Sequence, residues 1–313
     1  MVSLLIAAIS TPFFRNLALK QKILDTPNSE RKIQRTAVPY LGGFGIALAV
    51  VLTTFVAITI SEATSENYFL ALSVLAPAIV LGLIGFIDDK KHLTPISRFI
   101  AQTFAGVFTA LVLILTNTVG NPTNSVFLDA ILTIIWVVGI CNAINFFDNM
   151  DGAAGGISAL SGFGFAVIGL QNGQYFVAAF GLVLSGACVG YLFWNWNPAK
   201  IYMGDAGALF IGIILAALAV GATLAAAVEF SFLLGLMTLG AATLYETAKN
   251  GSTVIDAYGW FNPLVGLVFA FIFAALAVKW MVSWLQTRSL AVFGWERLAV
   301  AAASIGLLIT ATI

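Results

Sequence analysis

Apolar runs of about twenty residues, separated by short polar stretches, recur along almost the whole 313-residue chain. A helix rising ~1.5 Å per residue needs roughly 20 apolar residues to cross the ~30 Å hydrocarbon core of a bilayer. Such runs fall near 1–19, 40–60, 68–87, 97–116, 126–145, 153–171, 174–193, 207–227, 230–246, 262–285 and 294–313. The ninth is short and the first is readable as a half-span. The pattern therefore predicts an all-α, polytopic membrane protein with about 10–11 transmembrane helices. Residues 1–14 carry no small-residue cleavage motif after them and read as the first span, not as a removed signal. No Gly/Ser linker, charge run or repeat period divides the chain.

Composition strengthens this reading. Hydrophobic residues make up 60% of the chain and charged ones 9%, with a mean hydropathy of +1.01. A soluble domain carries about 25% charged residues, so the apolar surface here has too few charges to be covered in water. The net charge is zero, which removes any bulk-charge argument for nucleic acid as a partner. Cys141 and Cys188 lie in or beside apolar segments and read as small buried hydrophobes. The single histidine, His92, excludes a His-rich zinc site and reads equally as a solvated loop residue or a ligand.

Charge gives the orientation. Arg15, Lys20, Lys22, Arg31, Lys32 and Arg35 flank or fill the first inter-span loop. Lys90, Lys91 and Arg98 flank the third, and Lys200 lies in the seventh, so ten of the fourteen basic residues sit on one side. The intervening loops 61–67, 117–125 and 171–175 have no basic residue. By the positive-inside rule the basic side faces the cytoplasm.

The acidic residues then stand out, because carboxylates beside hydrocarbon are costly and mark function. Asp88 and Asp89 close the third span in GFIDDKKHL. Asp148 and Asp151 close the fifth, in CNAINFFDNMDG with Asn142 and Asn145. Asp205 precedes the eighth in NWNPAKIYMGDAG. All fall on the basic side. A plain belt of ion pairs requires neither adjacent aspartates, which repel, nor glycines flanking Asp205 and following Asp151. Hard oxygen donors without thiolate or imidazole suit Mg²⁺ or Mn²⁺. Gly-flanked loops at helix ends, Gly204 among them, offer backbone N–H groups to phosphate, and Arg31, Lys32 and Arg35 suit a further phosphate. Arg98 is expected to pair with Asp89. The constellation reads as metal-assisted phosphoryl transfer at the membrane surface.

Four segments in order, DTPNSERKIQRTAVPYLGG at 25–43, GFIDDKKHLTPISRF at 85–99, NAINFFDNMDGAAGG at 142–156 and FWNWNPAKIYMGDAGALFIG at 193–212, resemble the polyprenyl-phosphate N-acetylhexosamine-1-phosphate transferases, the MraY/WecA-like superfamily. The resemblance spans roughly residues 1–220. It implies an inner-membrane enzyme in cell-envelope glycan synthesis whose active site faces the cytoplasm. There a polyprenyl phosphate attacks a UDP-N-acetylhexosamine, UMP leaves, and a lipid-diphospho-sugar remains among the membrane lipids. Asp88, Asp89 and Asp148 are the implied catalytic residues, with Asp88 accepting the lipid-phosphate proton. Asp205 is the implied Mg²⁺ ligand, helped by Asn145 or Asp148. Arg31 and Lys32 are implied near phosphate or diphosphate, and Asn142, Asn145, Asp151 and Gly204 along the nucleotide-sugar site. Family members are often dimers, which implies a homodimer. Two features depart from the family. Gln34 stands where many members have histidine, and no histidine follows Asp205, where members carry a His-bearing loop that helps recognise the sugar.

From about 228 the chain resembles something else. EFSFLLGLMTLGAATLYE and WFNPLVGLVFAFIFAALAVKWMVSWLQTRSLAVFGWERLAV are similar to the C-terminal part of undecaprenyl-diphosphate phosphatases of the BacA/UppP type, without that family's Glu-rich, P-x-S-S-S-G-H and G-x-S-R-S-G catalytic segments. The expected division is a transferase-like domain over 1–227 and a three-helix segment over 228–313. Glu229, Glu246, Asp256 and Glu296 are read as interfacial or structural, and Trp194, Trp196, Trp260 and Trp295 as an aromatic belt. The alternatives are a lipid-diphosphate phosphatase, disfavoured by the missing motifs, and a transporter, disfavoured because the carboxylates gather at one rim and not mid-membrane. A third is a catalytically impaired fusion protein of lipid-carrier metabolism.

Overall fold

In a computed structural model the apolar runs are helices, as they must be where lipid offers no partner to a free N–H or C=O. The structure describes residues 1–25, 37–61, 64–91, 93–115, 125–221, 247 and 250–285. The helices among them are α1 Val2–Gln21, α2 Gly42–Ile60, α3 Ser65–Lys91, α4 Pro95–Leu115, α5 Val126–Phe147, α6 Ala153–Gln171, α7 Tyr175–Asn195, α8 Gly204–Gly221, α9 Asn250–Tyr258 and α10 Phe261–Leu285. Helices α1 to α7 are long and apolar enough to span a bilayer, and α9 and α10, bent by 108° at a short break, give an eighth candidate if counted as one span. Helix α8 is apolar but shorter. The chain is thus an all-α polytopic membrane protein. The expected spans at 230–246 and 294–313 lie outside the described residues. Besides the helices, the described residues hold one small element, an antiparallel pair of β1 Leu24–Asp25 with β2 Val38–Pro39, which hydropathy could not announce.

By compactness the chain divides into Met1–Phe230 and Ser231–Ile313. In the first unit α8 lies against α2, α3 and α5, and Ile211, Ile213, Ile214 and Ala216 are fully buried. Helices in lipid associate through close packing and not through hydrophobic expulsion, which favours small residues at crossings. The α2–α8 crossing depends on this: a Cβ on Gly43 would lie 2.2 Å from the Gly207 Cα. Cys141 and Cys188 are buried free thiols in the same core.

One aromatic departs from the expected belt. Trp196 and Trp260 are exposed, but Trp194 is half-buried and its Nε1 donates to the Ala8 carbonyl at 3.0 Å, joining α7 to α1. An indole N–H inside a helix pair needs an acceptor, and such interhelical bonds in membranes average about 0.6 kcal/mol.

In the second unit, α9 meets α10 at Gly259, which has φ +68°, beside exposed Tyr258 and Trp260. Asp256 lies on α9 and is exposed.

Candidate active site

The ends of α1, α3, α5 and α7 and the starts of α2, α4, α6 and α8 share one end of the first unit. The loop between α7 and α8 is held from several sides. Asp151 accepts from Ala199 N and Asn197 Nδ2, each at 3.0 Å. Buried Asn195 accepts from Gly152 N at 2.9 Å and donates to Ile201 O at 3.0 Å. The start of α2 closes the other side, with Gly42 N on Tyr202 O at 2.9 Å and Gly43 N on Met203 O at 3.0 Å. The loop therefore delivers Gly204 and Asp205 to a defined place.

A helix begins with backbone N–H groups that have no partner within it. In α8 these are met by carboxylates from two other helices. Asp148, just past α5, accepts from Gly204 N at 3.0 Å. Asp89, on the last turn of α3, accepts from Asp205 N at 3.0 Å and Ala206 N at 3.3 Å. Negative charge at a helix N-terminus is also favoured by the helix dipole. Gly204 is required here twice over. Its φ is +75°, and a Cβ would lie 2.6 Å from Asp89 Oδ2.

The remaining carboxylates face one another. Asp88, 2% exposed, accepts from Leu93 N at 2.7 Å and pairs with the Arg98 guanidinium. Arg98 Nη1 also lies 3.8 Å from Asp205 Oδ2. Asp205 Oδ1 accepts from Asn145 Nδ2 at 2.5 Å. The expected pairing of Arg98 with Asp89 is thus corrected: Arg98 takes Asp88. Adjacent residues on a helix point about 100° apart, so Asp88 turns toward the start of α4 while Asp89 turns to α8.

The electrostatics point to a deficit of positive charge. Burial pushes the Asp148 carboxyl well above the ordinary carboxylate range; the Gly204 N–H opposes this, and the charges of Asp89 and Asp205 add to it. Asp88 and Asp205 share the Arg98 guanidinium as their neighbouring cation. Among the described residues no three His, Cys, Asp or Glu side chains form a ready-made ion cage. Asp205, Asp88 and the Asn145 amide oxygen nevertheless fit Mg²⁺, which takes one or two carboxylates and keeps water or substrate phosphate on its other positions.

Asp88, Asp89, Asn145, Asp148, Gly204 and Asp205 thus lie at one place in the structure. Asn142 lies one turn along α5 from Asn145, and its Nδ2 donates to Gln102 Oε1 at 2.6 Å and to Val138 O at 2.7 Å. Asp151 is turned to the α7–α8 loop. Arg31, Lys32, Gln34 and His92 lie outside the described residues. Gln102 and Asn195 were not singled out from sequence; the available signal was a polar side chain inside an apolar helix.

Comparison with known proteins agrees with the architecture. Residues 71–223 match the profile of glycosyl transferase family 4, and residues 212–303 match that of the bacitracin resistance protein BacA. A relative described as a probable undecaprenyl-phosphate N-acetylglucosaminyl 1-phosphate transferase, from Bacillus subtilis, is 32% identical over 248 residues, covering 76% of this chain and 66% of the relative. The chain therefore spans just under two thirds of that relative's length. Phospho-N-acetylmuramoyl-pentapeptide-transferases of Bacillus pumilus and Staphylococcus carnosus are 33% and 30% identical, each over 70% of this chain and over 72% and 73% of their own lengths. Fold and relatives together define a membrane-embedded phosphotransferase. Within that class, the chain belongs to glycosyl transferase family 4, the MraY/WecA-like transferases, and carries a BacA-type segment after it.

Proposed function

We propose that the chain transfers N-acetylhexosamine 1-phosphate from a UDP-sugar to a polyprenyl phosphate at the cytoplasmic face of the inner membrane. The observation that carries this reading is the meeting of Asp88, Asp205 and Asn145 at three helix ends, beside the Arg98 guanidinium. The reaction joins a lipid phosphate oxygen to the sugar-bearing phosphorus and breaks the bond to the UMP oxygen, which departs with the electron pair.

Each group has a stated part. Asp205 and Asn145, with Asp88 beside them, would hold Mg²⁺, and Mn²⁺ has the same oxygen preference. Bound there, the cation would neutralise charge on the diphosphate. Asp88 takes the proton when the lipid phosphate arrives as its monoanion. Arg98 holds Asp88 in place and offers positive charge to a phosphoryl oxygen, worth about 10²–10³ in rate where such a group meets developing charge. Asp89 and Asp148 keep Gly204 and Asp205 in register. Arg31 and Lys32 belong to the phosphate-binding side of this proposal, Asn142 and Asp151 to the nucleotide-sugar side, and a homodimer to its assembly. Division into a transferase domain over 1–227 and a BacA-like segment over 228–313 is part of the same reading.

The test is release of UMP from a UDP-N-acetylhexosamine by the purified chain, with undecaprenyl phosphate and Mg²⁺. Release is expected only with both present, and Asp205→Ala is expected to abolish it. A second reading, a chain that binds the lipid carrier without turnover, draws on the BacA-type match and on the lack of any histidine after Asp205. Mg²⁺ binding with zero UMP release from every UDP-sugar tried would favour it.

A further inference from the structure

Gln102 lies on α4 in the apolar stretch RFIAQTFAGVF and is 5% exposed. A buried amide needs a hydrogen-bond partner, and Gln102 finds one on α5, where Asn142 Nδ2 donates to its Oε1 at 2.6 Å. The same Nδ2 donates to Val138 O at 2.7 Å, one turn back along α5. Val138 decides which way round both amides stand. A carbonyl oxygen only accepts, so the Asn142 atom facing it is nitrogen, and the Gln102 atom facing that nitrogen is oxygen. Both hydrogens of the Asn142 amide are thereby used. Asn142 is itself exposed, and its remaining polar atom, Oδ1, is an acceptor with no hydrogen to give. The Val138 carbonyl alone is a weak hold, because an α-helix already sends the backbone N–H of residue 142 to it. Gln102 supplies the interhelical point that stops the amide from turning over.

The pair lies next to the carboxylate cluster. Gln102 is one turn along α4 from Arg98, and Asn142 one turn along α5 from Asn145, and residues three or four apart share a helix face. Asn145 and Arg98 both reach Asp205. An ionised phosphate has no hydrogen to offer Asn142 Oδ1, so the group this oxygen suits is an N–H or O–H. We propose that Gln102 is a positioning residue for the UDP-sugar: it holds Asn142 Oδ1 ready to accept from an N–H or O–H of that substrate. This rests on the transferase reading above and adds to it a residue that acts on the substrate only through Asn142. The hydrogen comes from the uracil or from the N-acetylhexosamine, and product inhibition separates the two.

The experiment measures UMP release by the full chain in nanodiscs at varied UDP-N-acetylglucosamine. Gln102→Met keeps the length of the side chain but loses the amide oxygen. It should raise the KM for the UDP-sugar roughly tenfold, the factor given by one lost contact, with kcat and the KM for undecaprenyl phosphate unchanged. Gln102→Glu keeps an oxygen facing Asn142 and should restore the native KM. Asn142→Ala should match Gln102→Met, and the double variant should be no worse than either, because two residues acting through one contact are not additive. A Ki for UMP that rises with the KM places the hydrogen on the uracil, and an unchanged Ki places it on the sugar. Additive losses, or a lowered melting temperature with the KM unchanged, overturn the proposal and leave Gln102 as helix packing. Asn142 is exposed, so its variant tests the contact even if Gln102→Met does not fold: an unchanged KM in Asn142→Ala overturns the proposal by itself. A native chain that releases no UMP removes the transferase reading instead, and UDP-N-acetylglucosamine binding to the same proteins then judges the pair. Weaker binding in both variants supports it, and equal or undetectable binding overturns it.

Discussion

At the end of α3 two aspartates are adjacent, and at the end of α5 two are three residues apart, yet each pair divides its work in the same way. One member of each turns to the backbone at the start of α8: Asp89 takes the N–H groups of residues 205 and 206, and Asp148 that of Gly204. The other members differ. Asp88 turns into the cluster, onto the Arg98 guanidinium that also approaches Asp205. Asp151 turns away, onto Asn197 and Ala199 in the preceding loop. The contrast separates carboxylates that place a helix from those left to meet a substrate, and it sets Asp88 apart from the residue beside it.

That contrast can be broken in graded steps. Asp88→Asn keeps an acceptor for Leu93 N but removes the charge facing Arg98 and Asp205. It should lower turnover by about 10²–10³ with little change in melting temperature; near-normal UMP release would mean that Asp88 is only another anchor. Asp89→Ala deprives two N–H groups of their acceptor and should cost about 2 kcal/mol of stability, at the upper end for caps, with turnover down about tenfold. Detergent melting curves that match the native protein would contradict the anchoring role. Gly204→Ala forces a Cβ into a left-handed backbone against Asp89 and should destabilise by about 1–3 kcal/mol. A fully stable Gly204→Ala protein would show that the cap can shift freely. Smallest is Asp151→Ala, which loosens a partly exposed loop and should cost about 1 kcal/mol, raising the KM for the UDP-sugar while kcat for UMP release stays within a few-fold. A loss as deep as that of Asp88→Asn would put Asp151 at the reaction centre.

Much of this was legible in the chain, for identifiable reasons. Spans announce themselves because backbone in lipid must be helical and apolar, and the aspartates because carboxylates there are rare. How the spans pack was not legible, since core-facing and lipid-facing positions are both apolar. On α5, Val137 is fully buried and its neighbour Trp136 is 44% exposed, and hydropathy does not separate them. Pairings in the site were equally hidden. Arg98 is close in sequence to both aspartates, and only the helix rotation between residues 88 and 89 decides which one it meets. Asn195, which holds the α6 start to the α7–α8 loop, looked like one polar residue among several in FWNWNPAK. The Arg31–Lys32 expectation falls on residues outside those described.

The most direct test of the account is UMP release from UDP-N-acetylglucosamine and UDP-MurNAc-pentapeptide, measured with and without undecaprenyl phosphate and Mg²⁺, for the native chain and a folded Asp205→Asn variant. The account predicts release from at least one donor that needs both lipid phosphate and cation and falls by about 10³ or more in the variant. Release that ignores the lipid phosphate, or that survives intact in Asp205→Asn, would contradict it.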